Sequence, residues 1–432
     1  MNNQQYPLPE GWEWKPLSSL ATIVSGGTPS REVPDFWEPP LHAWVTPTDI
    51  TGKSGRFLFD AKERISDVGL SNSSATMLPI GTILMTSRAT LGEAKIARIP
   101  CCTNQGFKSL VPKSDVPSEY LYYLLQLFKE KYQKLGIGST FLEVNKKDTE
   151  KFLLPVAPPS LRPKIANILC ELDDHIDSTL ELIGKYEVTK QGLMADLFSR
   201  GIDTATGQLR PSVHDAPELY QETSIGLLPK EWEVCPLGSI SSIASGITLG
   251  KDLSKMTTVR VPYLRVANVQ DGYLDLTEVK FVDVPEAEAT KYLLLYGDVL
   301  MNEGGDFDKL GRGAVWRNEV EGCCHQNHVF RVRTVQAELR PEFLAYWSAS
   351  TYGKRYFILN SKQSTNLASI NSTQLKAFPV AKPSVDEQSA IEDRLQSIDR
   401  MIDMCQLDVD KLKQQKSGLM RDLLTGKLPV NA

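Results

Sequence analysis

The chain has 432 residues, 41% of them hydrophobic, which is enough to bury more than one core and points to two or three domains. A formal charge of −5 argues against a protein that coats nucleic acid by bulk charge, although basic loops can still meet phosphates locally. No run approaches the roughly 20 apolar residues a membrane helix needs, the start MNNQQYPLPEGWEW is neither basic nor apolar, and the adjacent pairs Cys101-Cys102 and Cys323-Cys324 fit a reduced compartment, so a cytoplasmic, membrane-free protein is expected.

The first 158 residues carry short β-rich runs such as Thr82 to Thr86, separated by Gly, Pro, Asn and Asp clusters, and one helical stretch, Glu119 to Lys134. After Pro159-Ser160 the texture changes to a long helix, and 159–201 is read as a spacer helix. Alternate steps of four and three give Ile165, Leu169, Leu172, Ile176, Thr179, Ile183, Tyr186, Lys190, Leu193 and Leu197, apolar but for Thr179 and Lys190. Such a 3.5-residue repeat marks a coiled-coil seam. Residues 202–225 read as a linker, and 226–382 as a second globular domain with β runs such as Asp298 to Met301. The stretch 383–432 is a second spacer helix and tail. Its seam is Ile391, Leu395, Ile398, Ile402, Cys405, Val409, Leu412, Lys416, Leu419 and Leu423, broken only by Lys416. Ser384 with Glu387 predicts a capping box, Gly201 and Gly426 are plausible stops, and interior Gly192 and Gly418 predict close approach of another backbone.

The two halves repeat. LPEGWEWKPLSSLATIVSGGT from Leu8 aligns without a gap on LPKEWEVCPLGSISSIASGIT from Leu228, Cys101-Cys102 falls on Cys323-Cys324, VAPPS falls on VAKPS, and KQGLMADL falls on KSGLMRDL. The expected fold class is α+β: two α/β globular domains in tandem, each followed by a long helix, with the helices pairing as an antiparallel coiled coil of pseudo-twofold symmetry. About 40 helical residues span about 60 Å, a geometry suited to two reading heads on duplex DNA.

These segments resemble the specificity subunits of type I restriction-modification systems. The resemblance covers almost the whole chain and rests on LPEGWEW and LPKEWEV, on PSVDEQSAIEDRLQSIDRMID, and on the endings KQGLMADLFSRG and KSGLMRDLLTGK. It implies that each globular part is a target recognition domain reading half of a bipartite DNA site and that the helices act as a ruler. It further implies two modification subunits that methylate adenine, with two restriction subunits as an optional addition. S-adenosylmethionine, ATP and magnesium would belong to those partners, and no cofactor or metal to this chain. Where the second copy has Asp386-Glu387-Gln388, the first has Leu161-Arg162-Pro163, which places any partner contact of the Glu-Gln pair in doubt in the first copy.

Catalytic motifs fail to appear. Gly246 to Asp252 is one residue short of a phosphate-binding loop and reads as a turn, and the tetrapeptide an amino-methyltransferase uses to grip adenine is missing. The adjacent cysteines lack the spacing of a zinc knuckle and read as buried strand residues. Candidate DNA contacts are polar loop residues able to bond bases or phosphates. In the first domain they are Ser87, Arg88, Thr90, Asn104, Gln105, Lys108, Ser139, Thr140, Lys146 and Lys147. In the second they are Asn302, Lys309, Arg312, Gln326, Asn327, His328, Lys362, Gln363, Ser364 and Thr365. Divergent loops are the better specificity candidates, since readers of different half-sites should differ between copies. The competing reading is a pseudo-symmetric adaptor whose heads bind proteins.

Overall fold

A computed structural model describes residues 7–138, 142–250, 252–305, 310–311, 313–363 and 368–430. The chain forms two compact units. One comprises Met1–Ile183 with Cys405–Ala432, the other Gly184–Met404. Each unit therefore holds one globular domain and a share of both long helices, Arg162–Arg200 and Val385–Leu423.

In the first unit, Ala21–Ser25 pairs with Lys108–Pro112, which pairs with Ile83–Met85, then Ala94–Ala97, with Phe57–Leu58 at the edge. A smaller sheet sets His42–Val45 between Glu63–Ile65 and Cys102–Thr103. The domain is closed by Glu13–Pro16 lying antiparallel to Leu153–Val156, which brings the chain to the long helix beside its own starting strand. The helical stretch expected over Glu119 to Lys134 is present but interrupted: Ser118–Leu127 and Lys129–Gln133 flank Phe128.

The second unit repeats this plan. Ser241–Ser245, Val329–Thr334, Val299–Asn302 and Gly313–Val315 form the main sheet; Thr258–Leu264 lies between Lys280–Pro285 and Cys324–His325; Glu233–Pro236 closes on Pro379–Lys382. The corresponding registers Trp44 to Cys102 and Tyr263 to Cys324 put Cys102 and Cys324 in buried strands, with Cys101 and Cys323 buried just before them. Burial pushes the thiols of Cys101, Cys102 and Cys323 up to about 12, so they stay protonated. The stretch 202–225 is ordered. Ile202–Asp203 pairs with Gln208–Leu209, and Tyr220–Thr223 pairs with Gly226–Pro229.

The seam forms as its periodicity predicts. Ile165, Leu169, Ile176 and Ile183 are buried on the first helix, with Leu172 partly so; Val409, Leu412 and Leu423 are buried on the second, with Leu419 partly so. These belong to the first unit, where Ile165 and Leu169 share a core with Leu423 and Leu424. In the second unit Leu197 and Phe198 share a core with Ile391 and Leu395, while Leu193, Ile398 and Ile402 are half-buried. Phe198 packs edge-on against Phe343 and Trp347, which ties the helix to its domain.

The two lysines that break the apolar stripe have matched partners. Lys416 Nζ lies 2.5 Å from Asp173 across the seam of the first unit, and Tyr123 donates its hydroxyl to the same carboxylate at 2.7 Å. Lys190 lies 2.6 Å from Asp399 in the second unit, and Tyr346 donates there at 2.6 Å. Each lysine also sits over the ring of its tyrosine, at 5.4 and 5.5 Å from the centroid. With Asp173 against Lys416, and the earlier Ile165 and Leu169 in one core with the later Leu423, the helix shares of that unit run antiparallel.

Two local expectations are corrected. Ser384 Oγ accepts from Glu387 N at 3.2 Å, but the Glu387 carboxylate does not return to complete a capping box. It bonds Ile202 N at 2.7 Å and the Arg210 guanidinium. Glu387 and Gln388 are both buried, and Gln388 bonds the backbone of Glu338, Pro383 and Arg340, so the pair braces this chain. Arg162 takes the Gln388 role in the first unit, reaching Ala157 O and Asp115. Finally, a Cβ built at Gly192 or Gly418 has nothing within 4 Å, so the paired helix does not crowd either glycine. Gly201 and Gly426 do stop their helices, at φ 67° and 73°, where a Cβ would strike Trp232 and Trp12 respectively.

Two predictions follow from the helices. Gly192→Ala and Gly418→Ala each stabilise the chain by about 1 kcal/mol in urea unfolding, because a helix-interior glycine loses backbone entropy without gaining space; a loss of stability would mean the sites are crowded. Asp173→Ala costs about 3 kcal/mol, since it strands a tyrosine hydroxyl and an ammonium together. Lys416→Met costs less, because Tyr123 still satisfies the carboxylate; the reverse order in unfolding midpoints would refute the arrangement.

Candidate nucleic-acid interface

In each domain the ends of the main-sheet strands carry loops to one edge. In the first, the segments 26–30, 86–92 and 104–107 meet there, with Ile137 and Glu143 beside them. Ser87 N donates to Gly106 O at 2.7 Å, Val144 N donates to Ser87 O at 3.1 Å, and Arg88 faces Glu143 in an isolated bridge. Thr28 donates to the exposed Gln105 side chain, and Thr51 meets Thr90 at 2.9 Å. Gly26 is required here, because a Cβ would lie 1.9 Å from Asn104 O; Gly246 meets His325 O identically in the second domain. The repeat of these glycines thus records a strand end pressed against a loop backbone.

Several expected contacts lie elsewhere. Ser87 is fully buried, because it continues the inward face of Ile83 and Met85. Lys108 shares the face of Leu110 and is only 5% exposed; its ammonium reaches Ser87 Oγ at 3.3 Å and Glu143 at 3.7 Å, and burial lowers its pKa. Asn302 is buried beside Leu300 and donates to Val269 O at 3.0 Å. These three cannot meet a groove directly. Asn104 caps its own loop by accepting from Gly106 N. Lys146 and Lys147 are exposed in the first turn of the helix Lys146–Lys151, not in a loop. Lys362 and Gln363 form a short strand against Ala368–Ser369. Ser139, Thr140, Lys309, Arg312, Ser364 and Thr365 lie outside the described residues.

The residues left at the edge of the first domain are Arg88, Thr90 and Gln105. Arg88 Nε is 2.8 Å from Glu143. In the second domain the edge holds Gln326, Asn327 and His328. Asn327 N bonds Ile247 O, Glu303 N bonds His328 O, and the His328 ring lies 2.7 Å from the Glu303 carboxylate. Beneath them His325 is wholly buried, its Nδ1 2.7 Å from Val329 O, and burial pulls its pKa down to about 4, keeping the ring neutral. Glu303 lies in a divergent loop that the sequence marks as a candidate, whereas Glu143 is not legible there because a carboxylate is not itself a donor to bases or phosphates.

The chain matches the family described as type I restriction modification DNA specificity domain over residues 9–185 and again over 229–413. The MjaIX specificity subunit of Methanocaldococcus jannaschii is 30% identical over 268 residues, 61% of this chain and 60% of that protein. The MjaVIII specificity subunit of the same organism is 24% identical over 98% of this chain and 94% of its own length. Among solved structures, the S subunit from M. genitalium superposes with a TM-score of 0.56 at 14% identity, covering 100% of this chain and 98% of that one. A chain from a study of complex assembly and conformational transition of the type I R-M system gives 0.58 at 17%, covering 98% and 100%. These matches support the doubled fold, and with the family domain found in both halves the chain belongs to the type I restriction-modification specificity subunits.

Proposed function

We propose that each recognition domain reads one half of a bipartite, asymmetric duplex DNA site, and that the long helices set the spacer and dock two methyltransferase subunits. The observation that carries this reading is the contrast within the repeat. The frames agree down to the Tyr–Asp–Lys linkages, whereas the loop edges present different chemistry, Arg88 with Glu143 in one domain and His328 with Glu303 in the other. Two unlike readers on like frames suit two unlike half-sites.

The chain itself contributes binding and no catalytic step. Adenine methylation with S-adenosylmethionine belongs to the modification subunits, and ATP- and magnesium-dependent steps to restriction subunits where these join. Exposed apolar side chains on both helices, Val188 on the first and Met404 and Leu407 on the second, support a docking role. No described helix is long and apolar enough to cross a membrane, and a cytoplasmic complex is proposed.

Co-expression with the modification subunit, followed by genome-wide mapping of methylated adenines, yields a single split motif. A stable complex with an unmethylated genome, or assembly on protein ligands that is indifferent to salt, would favour the adaptor reading, since phosphate binding weakens steeply with salt. One heptad inserted after Ile183 together with one after Met404 adds about 10 Å of helix. The mapped spacer then lengthens by about three base pairs while both half-sites persist; an altered half-site would refute the ruler.

A further inference from the structure

We propose that Arg88 reads a guanine in the half-site of the first domain and that Glu143 is the positioning residue that aims it, an inference that rests on the DNA-reading function above. Arg88 is exposed, with a side chain 45% accessible at the loop edge. Its Nε lies 2.8 Å from the Glu143 carboxylate as an ion pair, and among the described residues no hydrogen bond engages the fork of its two terminal nitrogens. That fork matches O6 and N7 of guanine in the major groove, and a guanidinium fixed through Nε loses less freedom when it docks.

The support for this geometry is built in from behind. The backbones of Arg88 and Glu143 face each other in an isolated bridge, so the two side chains project together. Lys108, buried in the strand below, lies 3.7 Å from the same carboxylate and supplies a fixed counter-charge. A carboxylate at a DNA-facing edge would repel phosphates, but between Lys108 and Arg88 it is neutralised while still orienting the arginine. Ala89 adopts φ 60°, a conformation that a residue with a Cβ seldom takes, and this turns the chain directly after Arg88. The arrangement assigns Lys108 to the support and Arg88 to the reading.

The test compares wild type, Arg88→Ala, Arg88→Lys and Glu143→Ala, each assembled with the modification subunit, by methylated-adenine mapping and by binding to duplexes bearing 7-deazaguanine. Wild type shows a guanine in one half-site and loses affinity about ten- to hundredfold when that base is changed. In both Arg88 variants that position alone accepts other bases, the 7-deazaguanine penalty disappears, and the other half-site is retained. Glu143→Ala relaxes the same position in part. Because Arg88 is exposed, its variants unfold at the wild-type temperature, which separates lost reading from lost folding. An unchanged motif in Arg88→Ala overturns the inference, as does a uniform loss of affinity that Arg88→Lys restores, the behaviour of a phosphate contact. Failure of wild type to give any split motif instead overturns the DNA-reading function itself.

Discussion

An ammonium placed in an apolar helix seam must find a carboxylate, and in this protein that requirement fixes the frame. Lys416 reaches Asp173 and Lys190 reaches Asp399, and each aspartate also accepts the hydroxyl of a tyrosine on its globular domain. A seam made only of leucine and isoleucine tolerates sliding by a heptad, because every layer resembles the next. A layer that holds one lysine, one aspartate and one tyrosine matches in a single register. In each unit the same three residues therefore set the direction of the helix shares, their alignment and the attachment of the domain beside them. Burial and the aspartate hydrogen bond raise the pKa of both tyrosines, so the hydroxyl remains a donor to the carboxylate.

The frame being fixed, divergence is confined to the loop edges. Gly26 and Gly246 press matching strand ends against matching loops, and the cysteine strands lie in matching registers. What differs is which donor a carboxylate supports. Glu143 holds an arginine across a bridge, whereas Glu303 holds a histidine through a loop whose backbone it also joins. Changing these edge side chains alters few core contacts, because Arg88, Gln105 and His328 are exposed.

Much of this was legible in the sequence, for a physical reason: a helix seam repeats every 3.5 residues and a duplication repeats every contact, so both leave long, redundant patterns. Ile165 to Leu197 and Ile391 to Leu423 follow the seam wherever it was traced, with none of those positions exposed. The failures are local. Lys190 and Lys416 look like interruptions because a pattern along one helix does not contain the aspartate on the other. Glu387 looks like a capping residue because its spacing from Ser384 is right, yet Arg210 and Ile202 compete for the carboxylate and win. Lys108, Ser87 and Asn302 look like loop donors, although strand alternation puts them on the faces of Leu110, Met85 and Leu300. A lysine is so rarely buried that composition outweighed periodicity, and it took the Glu143 carboxylate to make that burial tolerable.

The two units also differ in how many chain segments each needs. The second unit is built from one continuous stretch, Gly184–Met404, whereas the first needs Cys405–Ala432 as well. Leu423 and Leu424 complete the core that holds Leu20, Leu124 and Ile165, and Gly426 lies against Pro9 and Trp12. The Asp173 to Lys416 contact closes a loop of well over two hundred residues, and in a flexible chain such closure carries an entropic cost that grows only with the logarithm of length. Once the second unit has folded, most of that loop is already ordered, and the remaining search is shorter. Leu423, Leu424, Lys416 and Gly426 all lie against elements of the first unit that come early in the sequence. The core of the first domain is therefore complete only when the second long helix is in place.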